Sequence, residues 1–164
     1  MFKKLLAVIC ALSLMSACAS KEQGADLYGN GRGGWSDDVN VMELKATGFT
    51  KQFKDETTPT IYFAFNASSL DGAAKDTLKE QIAWLKANPR ALVVIEGRCD
   101  ERGTREYNLA LGERRANAVR SFMIANGISA SRIKTISYGK EKPVAAGSNE
   151  AAWAKNRNAT TVAY

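Results

Sequence analysis

The segment from Leu92 to Gly127 constrains the fold more than any other part of the chain. It opens on four apolar residues in a row, Leu92, Val93, Val94 and Ile95, which read as a central strand covered on both sides. A turn follows, and then Glu106 to Asn126 reads as a helix stopped by Gly127. Leu111, Ala118 and Phe122 fall on one face of that helix, with Val119 beside them. Arg115 lies four residues after Leu111 and three before Ala118, so it sits on the same inward stripe. A guanidinium there is costly unless something anionic meets it. Asp100, in the turn between strand and helix, is the candidate acid. Two readings stand: a structural ion pair between the two residues, or a pocket for a ligand that carries both charges.

The flanking pattern extends this strand and helix into a domain over residues 59–164. Ile61, Phe63 and Phe65 alternate with Tyr62 and Ala64, which predicts a strand. Asp71 is placed to cap a helix through Ala87, with Ala74, Leu78, Ile82 and Leu85 on one face and Asn88-Pro89 at its end. Ile133 to Tyr138 predicts a third strand, and Thr160 to Tyr164 a last one. Alternating strands and helices imply an α/β, βαβαβ(β) two-layer sandwich with a parallel element in its sheet. Roughly one hundred residues suffice for one modest core.

The start of the chain points to export. A short positive segment with Lys3 and Lys4 precedes the uncharged run Leu5 to Met15, then Ser16, Ala17 and Cys18. This is the layout of a secretory signal, too short to span a bilayer permanently. The cysteine after small residues resembles the bacterial lipoprotein box, with Met15 in the place of the usual leucine. Residues 1–17 are then the signal peptide and Cys18 the acylated first residue. Ala19 after the cysteine is similar to the pattern released to the outer membrane, with the domain facing the periplasm. Several acyl chains on Cys18 would anchor the chain stably, where one would be marginal.

Residues 18–58 are expected to be a tether. Five glycines stand between Gly24 and Gly34, and Gly29, Gly31 and Gly34 even fit a G-x-G-x-x-G pattern. No strand precedes them and no helix follows, so the dinucleotide reading fails its context. A loose coil of this length spans on the order of 35 Å. Val39 to Phe53 has room for a short strand or helix against the domain, with no pattern to place it.

Removing the signal changes the inventory of the three cysteines. Cys10 leaves, Cys18 carries lipid, and Cys99 remains without a partner for an internal disulfide. Cys99 is expected to be a small packed residue, with a disulfide-linked dimer as the alternative. Loss of Lys3 and Lys4 lowers the formal charge from +6 to +4. A basic chain raises nucleic acid as a partner, but export argues instead for an anionic wall polymer or an acidic protein.

The ordered set CDERGT (99–104), Tyr107-Asn108, LGERRANAV (111–119), SYGKEKP (137–143) and Asn156-Arg157 resembles the peptidoglycan-associated lipoprotein branch of the OmpA-like family. The likeness covers the lipobox, the glycine-rich tether and the whole of the domain. It implies non-covalent binding of the diaminopimelate stem of peptidoglycan, and partnership with the Tol system through a TolB-like periplasmic protein. The side-chain end of diaminopimelate is an amino acid, with an ammonium and a carboxylate on one carbon. The resemblance assigns the ammonium to Asp100 and the carboxylate to Arg115, whose planar fork pairs two oxygens at once. It adds Asn108 as a brace and Gly103 and Thr104 as the turn that brings Asp100 round. Phe65, Asn66 and Arg157 complete the set. No cofactor and no metal is expected.

Departures from the family pattern keep a second reading open. The family's usual Tyr-Phe-Asp-Phe-Asp is Tyr62, Phe63, Ala64, Phe65, Asn66, and Arg98 replaces a histidine two residues before Asp100. The terminal Asn-Arg-Arg is Asn156, Arg157, Asn158. If Arg98 and Asp100 point the same way, they pair and compete with the ligand. The chain would then bind wall weakly and serve mainly to dock a Tol-type partner, for which the turn Lys140-Glu141-Lys142 is a candidate surface. Arg114, about 100° round the helix from Arg115, reads as a solvated residue. A wall-cleaving enzyme is not expected, because the chain has no histidine and Asp100 and Glu101 make a poor acid pair.

Overall fold

The computed structural model describes residues 48–164. The expected signal, the lipidation site Cys18 and most of the expected tether lie outside the described residues. The elements are α1 (Gly48–Glu56), β1 (Thr60–Tyr62), α2 (Gly72–Ala87), β2 (Val93–Arg98), α3 (Arg105–Ala125), β3 (Ile133–Gly139), α4 (Glu150–Asn156) and β4 (Asn158–Ala163), with a short 3-10 turn at Ala130–Arg132 before β3. The four strands form one sheet in the order β1-β4-β2-β3. Strands β2 and β3 run parallel, as the helix between them requires, and β4 is antiparallel to both β1 and β2. This is the mixed α/β sandwich that the alternation predicts.

Val93 and Ile95 project from β2 into a core with Leu78, Ile82 and Leu85 of α2 and Ala116, Val119 and Met123 of α3. Val94 points the other way and is buried too, between Val162 and Lys134 in the register. The buried face of α3 runs through Leu111, Gly112, Arg115, Ala116, Val119 and Met123, whereas Ala118 and Phe122 are half-buried at its margin. The stripe is thus turned away from Ala118 and Phe122 toward Gly112, Ala116 and Met123. At its Gly112 end the helix passes close to the sheet: a Cβ on Gly97 of β2 would lie 2.0 Å from the Gly112 carbonyl oxygen of α3.

Caps fix the helix ends. Asp71 accepts the Ala74 N–H at 2.8 Å at the start of α2, and Thr104 accepts the Tyr107 N–H at 3.2 Å at the start of α3. Past the end of α2, the buried Arg132 donates to the carbonyls of Leu85, Asn88 and Ala91.

The first strand ends at Tyr62 rather than running through Phe65, and the start of the packed unit differs from expectation too. Residues 48–56, inside the stretch expected to be tether, form α1 and pack on the domain. Thr50 Oγ1 donates to the Ala163 carbonyl at 2.5 Å, and Phe53 and Phe49 meet the Trp84 ring edge-on at 5.0 and 6.0 Å. The packed unit therefore includes residues 48–56, which the expectation placed in the tether. Its two anchoring phenylalanines stand among polar residues, so periodicity misses them. Phe53→Leu is expected to cost about 1–2 kcal/mol, through lost area and the lost ring contact. A urea unfolding curve followed by circular dichroism measures it, and no loss would mean that α1 is not part of the cooperative unit.

Candidate ligand pocket

Three segments converge at the C-terminal end of β2. The strand ends at Arg98, and the chain then turns through Cys99 and Asp100 toward α3. Gly103 turns the loop with φ +92°, a conformation that side chains resist. The first three turns of α3 bring in Tyr107, Asn108, Leu111 and Arg115, and the loop after β1 adds Phe65 and Asn66. Together with Arg102 they enclose a pocket of about 190 Å³. Of the residues expected at the site, Asp100, Arg115, Asn108, Gly103, Phe65 and Asn66 line it. Thr104 does not; it caps α3 from below. Arg157 lies behind Asp100, donating to its Oδ2 at 3.4 Å.

Arg115 is wholly buried. Its Nε donates to the Ala67 carbonyl at 2.8 Å, Nη1 to Arg98 at 2.8 Å and Nη2 to Ala64 at 3.3 Å. Three backbone carbonyls thus hold a cation in the wall of the pocket, and no Arg115–Asp100 bridge forms. Of the two readings left open for this pair, the structural ion pair is not formed. A guanidinium has five N–H groups, so three carbonyls leave donors for a ligand. Burial pushes its pKa down from the ordinary value, with Cys99 and Asp100 acting against that.

Asp100 is nearly as buried, 4 % exposed. Burial alone would raise its carboxyl pKa, but hydrogen bonds from the Arg102 side chain and backbone, the Arg102 charge and Arg157 outweigh it, and the net shift is downward. The acid therefore stays ionised. Arg102 is the nearer of the two cations that meet it, with Nη2 2.6 Å from Oδ2 against 3.4 Å for Arg157 Nη1. Arg98 does not: it pairs with Glu96, on the same face of β2, and lies over the Tyr138 ring. The expected competition from Arg98 is thus corrected, and its place is taken by a residue that strand alternation does not single out.

The remaining polar groups brace the walls. Asn108 Nδ2 donates to the carbonyls of Arg102 and Thr104, at 2.8 and 3.0 Å, and so fixes the loop that carries Asp100. Asn66, at φ 56°, accepts a hydrogen bond from the Tyr107 hydroxyl and ties the β1 loop to α3. Cys99 is buried and donates to the Asn108 carbonyl at 3.3 Å, and burial raises its thiol pKa. A thiol so placed packs rather than bridges to a second copy. Asn158 is buried as well, with Nδ2 2.7 Å from the Lys155 carbonyl. Sequence reasoning misses Arg102 and Tyr107, and with them Trp153, whose ring centroid lies 4.2 Å from the Arg102 guanidinium. Only Tyr107 carries a signal, three residues past a capping threonine.

Comparison with known proteins adds independent findings. A family model described as the OmpA family matches residues 62–157. A protein of Mesorhizobium japonicum named peptidoglycan-associated lipoprotein is 42 % identical over 156 residues, which cover 93 % of this chain and 87 % of that one. One of the same name from Haemophilus influenzae is 38 % identical over 158 residues, covering 96 % and 95 %. The crystal structure of the peptidoglycan-associated lipoprotein from Burkholderia pseudomallei superposes with a TM-score of 0.64 at 42 % identity, over 65 % of this chain and 91 % of that one. The C-terminal domain of Helicobacter pylori MotB gives 0.61 at 16 % identity, over 65 % and 84 %, a likeness of fold alone.

Proposed function

Because the chain belongs to the OmpA family, in the branch of the peptidoglycan-associated lipoproteins, we propose that it is an outer-membrane lipoprotein that grips peptidoglycan without covalent bonds. The single observation that carries this reading is a buried guanidinium and a buried carboxylate lining one small pocket. Such a pair fits a zwitterion. Arg115 takes the carboxylate at the side-chain end of diaminopimelate, Asp100 takes its ammonium, and Asn108 holds the loop between them. The lipid anchor is assigned to Cys18 and the tether to the residues after it, which frees the domain to reach the wall.

The alternative of a weakened wall pocket no longer rests on the substituted positions; the cation that competes at Asp100 is Arg102. Arg98 is engaged by Glu96, Asn158 is buried away from the pocket, and Asn66 still supplies a polar group to the wall. Docking of a TolB-like periplasmic protein, and through it a role in the Tol-Pal system and cell division, belongs to the same proposal. Lys140 Nζ donates to the carbonyls of Glu101 and Gly103, at 3.2 and 2.7 Å. A partner seated on the turn at 140–142 would therefore feel the state of the pocket loop.

Asp100→Asn tests the reading directly. It keeps the shape of the side chain and removes the charge, so binding to diaminopimelate-type peptidoglycan is expected to fall by about 2–5 kcal/mol, roughly thirtyfold to a few thousandfold. A pull-down on purified wall measures it, with circular dichroism to verify folding. The pH dependence follows from the lowered pKa. A carboxyl whose folded value lies below its unfolded one stabilises the fold fully above its ordinary 3.8 and loses that contribution as pH falls through the folded value. Parent stability therefore declines below about pH 4, and the Asn variant lacks that component of the decline. Binding that survives the substitution would remove Asp100 from the site.

A further inference from the structure

The Asp100 carboxylate has four N–H donors of its own. Oδ1 accepts from the Arg102 backbone N–H and from Arg102 Nε, both at 3.2 Å. Oδ2 accepts from Arg102 Nη2 at 2.6 Å and Arg157 Nη1 at 3.4 Å. A ligand ammonium that reaches this acid has to take the place of one of these cations.

The two arginines are not equally replaceable. Arg157 is 7 % exposed and also donates to the Phe63 carbonyl at 3.1 Å and to Glu150 at 2.7 Å, so it is fixed from three sides. The Arg102 side chain is one third exposed at the edge of the pocket. Its guanidinium lies between two rings, 4.2 Å from the Phe65 centroid and 4.2 Å from that of Trp153. A second acid stands ready, with Glu150 Oε2 4.0 Å from Arg102 Nη1.

Resting on the zwitterion reading above, we infer that Arg102 is a specificity-determining residue of this site: a built-in cation on Asp100 that the ligand ammonium displaces, with Glu150 receiving it. The exchange trades one cation on Asp100 for another, so the ammonium alone gains little. What tips the balance is the ligand carboxylate on Arg115. A simple amine therefore binds poorly, while a carbon that bears both groups binds well. The apparent affinity is lowered by the fraction of molecules in which Arg102 has left Asp100.

The test titrates full-length protein in detergent with the tripeptide L-Ala-γ-D-Glu-meso-diaminopimelate, and with the same peptide acetylated on its distal amine. Arg102→Gln is expected to bind the free peptide about three- to tenfold more tightly than the parent, with no such gain for the acetylated peptide, which brings no ammonium to replace Arg102 on Asp100. Weaker binding by the variant would make Arg102 an ordinary ligand contact and overturn the inference. Equal binding, or a gain for both peptides, would overturn it as well. The parent supplies a second measurement that needs no variant. Nuclear magnetic resonance of the Arg102 Nε–H should show it leaving its ring-shielded, hydrogen-bonded environment as the free peptide saturates, and an unmoved resonance would contradict the exchange. Failure of the parent to bind either peptide would count against the zwitterion reading itself, which separates the two outcomes.

Discussion

Arg115→Ala is expected to abolish stem binding and to cost the domain about 3–5 kcal/mol. The side chain is the largest fully buried one among the described residues. Its removal strips partners from the carbonyls of Ala64, Ala67 and Arg98, each an unpaired polar group worth about 1–3 kcal/mol if left dry. Two of these carbonyls belong to the loop that carries Phe65 and Asn66, so the wall of the pocket loosens as well. A loss of this size is a large share of the roughly 5–15 kcal/mol that holds a domain together. Arg115→Lys is therefore the more discriminating variant. It keeps a charge but has no fork to reach three carbonyls and a carboxylate together. Urea unfolding and peptide titration on both variants should show a smaller stability loss for lysine, with binding still reduced at least about tenfold. Full binding by the lysine variant would mean that charge alone suffices.

Gly97→Ala is the second large effect, and it acts on the scaffold. The new methyl would sit 2.0 Å from the Gly112 carbonyl oxygen and 2.7 Å from its carbon. Both are backbone atoms of α3, so the helix itself has to move. The expected cost is about 3 kcal/mol or more, at the upper end of overpacking. Because α3 carries Asn108 and Arg115, binding should weaken even where the fold survives. Gly112→Ala provides the contrast. Its methyl would meet the Ser137 hydroxyl at 2.3 Å, a side-chain atom that can rotate away, although the Gly97 carbonyl lies at 3.1 Å. About half the cost is expected there. Equal denaturation midpoints for the two variants would show that the β2–α3 contact is softer than the geometry implies.

What was legible in the sequence follows from what a linear pattern encodes. The inward position of Arg115 can be read, because helical spacing fixes which residues share a face. Its three carbonyl partners cannot, because they lie 17 to 51 residues away in the chain and no periodicity reports on loops. Strand alternation suggested that Arg98 and Asp100 share a side. The rule holds one step earlier, where Glu96 and Arg98 pair on β2, and it lapses where the strand ends at Arg98 and its register with β3 shifts. Arg102 reaches Asp100 instead through the turn. Helix α4, only seven residues long, is too short to show a period, and with it Trp153 went unseen. The close pass of Gly97 over Gly112 leaves no mark in hydropathy at all.

The measurement closest to the central claim compares two walls. Protein lacking residues 1–18 is equilibrated with purified peptidoglycan of the diaminopimelate type and of the lysine type, whose stem amine has no carboxylate beside it. Binding to the first and not to the second, lost again with Arg115→Lys, is the result that a carboxylate on Arg115 and an ammonium on Asp100 predict. Equal binding to both walls would contradict it and place the recognition elsewhere on the chain.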